Sequence, residues 1–215
     1  MPEQPRYVPR MAAEPPQEDL PYGRWAERLQ TEFLAAVAGI VADEELGEAG
    51  EIVWYPDRSW HGYTYVPATS RTSEGFELLG YVRFRAAGED REPSEFSAIA
   101  FYTDDLAEEN SDWKLDLCDE QIGSWRGVGG RTARMTLIWG RPLADGGQFV
   151  AGELAGVLVD ACPLVSERFT LIAPDDLQGD LLDVVLYDGK GNEVAREALH
   201  DPDDDEPEDG EPPEA

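Results

Sequence analysis

The amino-acid sequence predicts a mainly β fold, α+β by element count: an antiparallel β-sandwich or partly open barrel with one N-terminal amphipathic helix packed on it. Apolar residues recur at steps of three and four in one segment near the N-terminus, which indicates a helix. From residue 51 onward they alternate with polar residues, which indicates strands. Short strands separated by turn residues at intervals of roughly ten residues are typical of antiparallel sandwiches and barrels.

The chain divides into three regions by composition. We predict a disordered N-terminal segment over residues 1–20, a single mostly antiparallel β domain over residues 21–200, and a disordered acidic tail over residues 201–215. The first segment contains five prolines, and the tail contains nine acids and no base. Segments with so little apolar surface cannot bury enough of it to offset the entropy lost on ordering.

The helix is predicted over residues 23–46. Its apolar stripe consists of Trp25, Leu29, Phe33, Ala36, Val37 and Ile40. These residues share one face of a helix, and such a stripe is expected to pack on a sheet. Gly47 follows, where a left-handed residue commonly ends a helix.

The strands follow the alternating segments. They are predicted at residues 51–55, 60–66, 76–85, 95–103, 113–117, 122–125, 133–139, 148–160, 168–173, 181–187 and 193–199. Residues 56–59 are predicted to join the first two strands through a tight turn, in which Pro56 takes the second position if Tyr55 starts the turn. Residues 148–160 contain two glycines and are predicted to form a strand or a bent strand pair rather than a helix. Residues 188–191 have the composition of a hairpin turn.

The stretch from Asp112 to Pro142 contains three of the six tryptophans and the clearest alternation in the chain. We interpret it as central strands joined by a glycine-rich connection at residues 127–130. The inward-facing side chains are predicted to be those of Trp113, Leu115, Leu117, Leu137 and Trp139. Its role is therefore expected to be mainly architectural.

The charge of the chain limits its partners. There are 46 acids against 17 lysines and arginines, a formal net charge of −29. Such a surface repels phosphate backbones and anionic lipids, so we expect neither direct nucleic-acid binding nor membrane binding. The charge is explained by a solvated acidic surface with no dedicated partner, and it also suits docking on a basic protein partner or mimicry of a polyanion. The sequence has no apolar run of the roughly 20 residues that span a bilayer and no signal-peptide pattern, so we expect a cytoplasmic protein.

Few residues offer catalytic or metal chemistry. The two cysteines, Cys118 and Cys162, are expected to be buried free thiols rather than a disulfide. The two histidines and the acid clusters over residues 104–120 match neither zinc nor calcium ligand spacing. The glycines at 127–130 lack the following helix that a phosphate-binding loop requires. We predict no metal site, no cofactor and no catalytic residue.

The best candidate for a binding surface is the hairpin predicted over residues 55–65. Its candidate ligand- or partner-binding residues are Asp57, Arg58, Trp60, His61, Tyr63 and Tyr65. Aromatic side chains with polar tips suit carbohydrate stacking or a protein hot spot. A nucleophilic site at Ser59, His61 and Asp57 is not expected: Ser59 and Asp57 share a side, but His61 is not expected to reach either productively, and the sequence has no nucleophile elbow.

These observations favour a non-enzymatic, cytoplasmic protein-binding or accessory module that meets a basic protein partner. One alternative is a small-ligand or carbohydrate-binding β domain that uses the aromatic hairpin, with or without hydrolytic activity. A second alternative is a polyanion mimic that inhibits a basic site on another protein.

Overall fold

The computed structural model describes residues 26–85, 93–126, 130–175 and 181–200. In these residues one helix is followed by twelve strands, which form three antiparallel sheets. The predicted mainly β fold with one helix is confirmed, and none of the three sheets closes into a barrel. The expectations for residues 1–20, for the start of the predicted helix at 23–25 with Trp25, for residues 127–129 and for the tail at 201–215 lie outside the described residues.

The helix α1 and the sheets follow one another along the chain. The helix α1 spans Ala26–Val37. Sheet A contains β1 (Ala49–Trp54), β2 (Arg58–Trp60), β3 (Tyr63–Thr72), β4 (Glu77–Arg85) and β5 (Ser94–Thr103), in the order β1-β3-β4-β5 with β2 also paired to β3. Sheet B contains β6 (Leu115–Arg126), β7 (Thr132–Pro142) and β10 (Phe169–Asp175), in the order β10-β7-β6. Sheet C contains β8 (Phe149–Leu154), β9 (Val157–Pro163), β11 (Leu182–Tyr187) and β12 (Glu193–Ala198), in the order β12-β11-β8-β9.

Three apolar clusters define the order of the layers. The first, between α1 and sheet A, contains Leu29, Phe33, Val66, Ala68, Val82 and Phe84. The second, between sheets A and B, contains Tyr55, Tyr65, Tyr81, Met135, Leu137, Trp139 and Ile172. The third, between sheets B and C, includes Leu115, Ile138, Val150, Leu154, Phe169, Leu171, Leu182, Val184 and Leu186. Sheet B is therefore covered on both faces, which explains the nearly continuous burial of β7.

The helix is shorter than the sequence predicts. The amide of Ala38 still bonds the carbonyl of Leu34, but the next two amides bond only three residues back, which tightens and ends the last turn. Gly39, a poor helix former, lies at this point. Val41 is 95% exposed, so the apolar stripe does not extend to residue 46. With 12 residues, α1 is too short and too polar to cross a bilayer, and the described residues contain no other helix.

The first hairpin turn lies at a different place from the predicted one. Both β1 and β2 pair with β3, so residues 55–57 interrupt one side of a hairpin rather than turning the chain. The turn is made by His61 and Gly62, whose φ angles are 56° and 80°. Two successive positive φ angles are what a type I′ hairpin requires, and proline at 56 supplies none.

The other predicted turns are found where expected. The bent strand pair over residues 148–160 is the hairpin of β8 and β9. Residues 188–191 connect β11 to β12.

Residues 113–125 differ from the prediction of two strands. They form one strand, β6, which has an irregularity between Gln121 and Gly123 and begins at Leu115.

Replacing Phe33 by alanine tests the packing of the helix. The Phe33 side chain is fully buried and meets the ring of Trp54 edge-on at 6.0 Å. Its removal should lower the free energy of unfolding by about 3–5 kcal/mol, because a large cavity would remain between α1 and sheet A. Urea denaturation measures the change, and Val41→Ala, at an exposed site, should leave the midpoint unchanged. A small effect at Phe33 would mean that α1 is not part of the core.

Candidate functional site

Sheets B and C face each other, and their outer strands approach on two sides. On one side β9 contacts β10, and on the other β12 contacts β6. Each of these four strands has only one hydrogen-bonded neighbour within its own sheet. The two approaches differ in chemistry, and this difference determines where the sandwich is open.

The β9–β10 side is closed by a buried ion pair. One terminal nitrogen of Arg58, Nη2, lies 2.5 Å from both Oδ1 and Oδ2 of Asp160. Asp160 also accepts hydrogen bonds from the amides of Ala161, at 2.9 Å, and Ile172, at 3.0 Å. Arg58 belongs to sheet A, Asp160 to sheet C and Ile172 to sheet B, so this carboxylate connects all three sheets.

The β6–β12 side contains an open cavity of about 160 Å³. Its lining residues, which we name the seam groove, are Trp113, Leu115, Leu117, Glu197, Ala198 and Leu199. Leu115 and Leu117 alternate along β6 and so face sheet C together. Glu197 fixes the two walls to each other, because its Oε1 accepts a hydrogen bond of 2.8 Å from the amide of Lys114.

A polar cluster continues from the seam groove. Asp119 follows Leu117 on the same face of β6, and burial raises the pKa of its carboxyl. The charge of His200 acts in the opposite direction on this pKa, and that of Asp175 adds to the increase. Asp175 is fully buried; it accepts a hydrogen bond of 3.0 Å from the amide of Leu182 and lies 2.9 Å from Nε2 of His200.

This cluster holds the ends of three strands together. Asp175 ends β10, Leu182 begins β11, and His200 follows β12. In the part of the chain that the structure describes, no group of three or more His, Cys, Asp or Glu side chains is arranged to hold a metal ion.

Four aromatic or charged residues of the hairpin region lie in the interior. Tyr55 and Tyr65 belong to the core between sheets A and B, at 4% and 1% exposure. Burial raises the pKa of Tyr55 to about 12, so its hydroxyl stays neutral. Asp57 and Arg58 are also buried, at 2% and 3% exposure. In this conformation these four side chains do not present a surface to a ligand.

The remaining candidates of this hairpin lie partly or fully at the surface. His61 is exposed at the turn, and its ring is 5.1 Å from that of Trp60. Trp60 is half-buried, and its ring covers Gly123 so closely that a Cβ there would lie 2.5 Å from it. Tyr63 donates a hydrogen bond of 2.8 Å to Glu95. The exposed part of the hairpin is therefore smaller than the sequence predicts.

The sequence predicts an architectural role for three residues of the seam groove, Trp113, Leu115 and Leu117. It does not indicate Glu197, Ala198 or Leu199 as candidate binding residues. Leu115 is buried as predicted, but Trp113 and Leu117 are only partly buried and line the cavity. The opposite wall comes from Glu197 and Leu199, and Glu197 is 83 positions from its partner Lys114. No local sequence pattern indicates a pairing across such a separation.

Neither cysteine forms a disulfide. Burial raises the pKa of Cys162 to about 11 and that of Cys118 well above its ordinary value. Both side chains therefore stay protonated at neutral pH, and a protonated thiol is a poor nucleophile. The prediction of two free thiols is confirmed.

Comparisons with protein-family models, with curated proteins and with solved structures find no significant match to this chain. The candidate site therefore rests on its own geometry.

Breaking the buried ion pair should destabilise the protein strongly. Arg58→Met leaves the buried Asp160 carboxylate without the guanidinium, and Asp160→Asn removes the negative charge that lies against the buried guanidinium. Each change should lower the free energy of unfolding by about 3–5 kcal/mol, measured by urea denaturation. The matched control is Arg85→Met, at the exposed Arg85–Glu95 pair, which should have a much smaller effect. Equal effects at the two sites would contradict the structural role of Asp160.

Removing the charge of Asp119 should instead stabilise the protein at neutral pH. Its pKa in the folded state is raised above the unfolded value of about 3.9, so ionisation favours unfolding as pH rises through the folded pKa. Asp119→Asn should therefore have a higher urea midpoint than the wild type at pH 7. The difference should shrink as pH falls through the raised folded pKa, and its pH-dependent part should disappear well below the unfolded pKa of about 3.9, where the carboxyl is protonated in both states. The exposed control Glu109→Gln should leave the urea midpoint unchanged both at pH 7 and at low pH. A urea midpoint lower than that of the wild type for Asp119→Asn at pH 7 would refute the argument.

Proposed function

We propose that this chain is a cytoplasmic, non-enzymatic binding module for a basic protein partner. The observation that carries the proposal is the size of the seam groove, about 160 Å³, at an opening between two outer strands. Pockets for drug-sized ligands usually measure about 300–1,000 Å³, whereas an apolar cavity of about 150 Å³ accepts a single benzene ring. The groove therefore fits one side chain of a partner better than a free metabolite.

The charge of the surroundings supports a basic partner. The net charge is −29, and Glu197 lies on the wall of the groove itself. Opposite charges across an interface increase the association rate and select against acidic partners. Phosphate-containing ligands are disfavoured for the same reason.

The alternatives have less support. Carbohydrate binding at the hairpin would need an exposed row of aromatic rings, but Tyr55 and Tyr65 are buried. A polyanion mimic would need carboxylates aligned without intervening cations. Arginines are instead placed among the acids: Arg196 contacts Glu153, Asp183 and Glu193 together.

Capture of partners by the tagged chain tests this proposal. Proteins bound from a lysate of the source cells should be enriched in basic species, and their recovery should fall between about 50 mM and about 300 mM salt, as screening shortens the range of the attraction. A chain without residues 201–215 separates the contribution of the tail from that of the domain. If this shorter chain captures less of the partners, and the reduction depends on salt, part of the binding is assigned to the tail. Neutral or acidic partners whose capture is independent of salt would contradict the proposal.

A further inference from the structure

We infer that the seam groove holds the aliphatic stem of a lysine or arginine from an extended segment of the partner, with the cationic end at the carboxylate of Glu197. The inference rests on the proposed function, since it specifies how a basic partner would be recognised. It is argued from the lining, the charge and the strand edges of the groove.

The lining suits a long side chain that is apolar along its stem. Leu115 and Leu117 form one wall, Leu199 the other, and Trp113 lies at the end where β6 begins. Lysine and arginine bury their methylene stems against such surfaces while the charged end stays near water or an anion. The indole face of Trp113 adds an attraction for a cation.

Glu197 is placed to receive that cation. Its Oε1 already accepts the amide of Lys114, and this bond holds the carboxylate at the wall of the groove. A carboxylate has two oxygens and about four lone-pair sites, so it can accept further hydrogen bonds from a bound ammonium or guanidinium. A charge-assisted bond of this kind is roughly twice as strong as a neutral one.

The strand edges indicate an extended partner segment. β6 and β12 are both outer strands, at the ends of sheets B and C, and they form the two sides of the opening. Extended peptides bind such edges through backbone hydrogen bonds, and alternate side chains point the same way. One side chain of such a segment can then enter the groove while its neighbours point to solvent.

Peptide binding to the full chain tests the inference. The probe is an acetylated, amidated nonapeptide with lysine at alternating positions and serine between them. A matched peptide replaces each lysine by 2,3-diaminopropionic acid, which removes three methylenes from each stem. All titrations are run at about pH 5, because the less basic side-chain amine of this residue is protonated there and the charge of the two peptides is then equal. A third peptide carries norleucine, which keeps the stem but has no charge. Affinities come from NMR titration, followed at the indole N–H of Trp113 and the amide of Leu117.

The lysine peptide should bind at least about tenfold more tightly than the diaminopropionic peptide, since it buries more methylenes. Leu117→Trp, which fills the groove, should remove this preference. Glu197→Gln keeps the hydrogen bond to Lys114 through its amide oxygen, so it should weaken the lysine peptide and leave the norleucine peptide unchanged. The controls Leu158→Trp, at an exposed leucine of β9, and Glu109→Gln should behave as the wild type.

Three results would overturn the inference. Equal affinity for the lysine and diaminopropionic peptides would mean that only charge is recognised, and the proposed basic partner would stand. Tighter binding of the norleucine peptide would identify an apolar anchor instead. Absence of binding by every peptide would exclude this use of the groove, while salt-dependent capture of basic proteins would still decide the proposed function separately. If Leu117→Trp does not fold, Glu197→Gln alone distinguishes these outcomes.

Discussion

The arrangement of the three sheets depends on the buried contact between Arg58 and Asp160. Both side chains are almost completely removed from water, at 3% and 4% side-chain exposure. The loss of hydration costs several kcal/mol for each ion, about as much as the attraction returns, so the pair contributes little net stability compared with apolar residues of the same shape. The pair instead limits the number of ways in which the three sheets can pack. A sheet packing that separated the two groups would leave the Asp160 carboxylate buried without the guanidinium, so the pair favours the observed placement of β2 against β9 and β10.

The same contact determines where the sandwich opens. Asp160 accepts the outward amide of Ile172, and so the free edge of β10 is satisfied by a side chain of β9. The opposite edges have no equivalent buried pair in the described residues; there Glu197 bonds only the start of β6, at Lys114. The cavity lies beside that single bond. Farther along, Asp119 and the Asp175–His200 contact place carboxylates beside the opening.

Periodicity was sufficient to predict the helix, most strands and the class of fold, because burial on one face imposes a period on any sequence. It was insufficient where a residue's role is set by distant partners. The turn was assigned to Pro56, although His61 and Gly62 supply the positive φ angles. The sequence places Arg58 among the candidate binding residues as part of the hairpin at 55–65, yet the Asp160 carboxylate, 102 positions away, lies against its guanidinium in the interior. The walls of the seam groove meet for the same non-local reason, so no local pattern could identify it.

Apolar contact and charge have different roles at such a groove. A cavity for one side chain buries too little area to select a partner by contact alone, since one methylene contributes only about 0.8 kcal/mol. Any leucine of any protein would enter it with similar affinity. In the proposed mode of binding, the acidic surface would supply the missing discrimination, because it would repel acidic competitors and increase the encounter rate with basic partners. The carboxylate of Glu197 lies on the wall of the groove, so charge and apolar contact would act on the same side chain of the partner. This is the physical reason to expect lysine or arginine, rather than leucine or a free ligand, as its occupant.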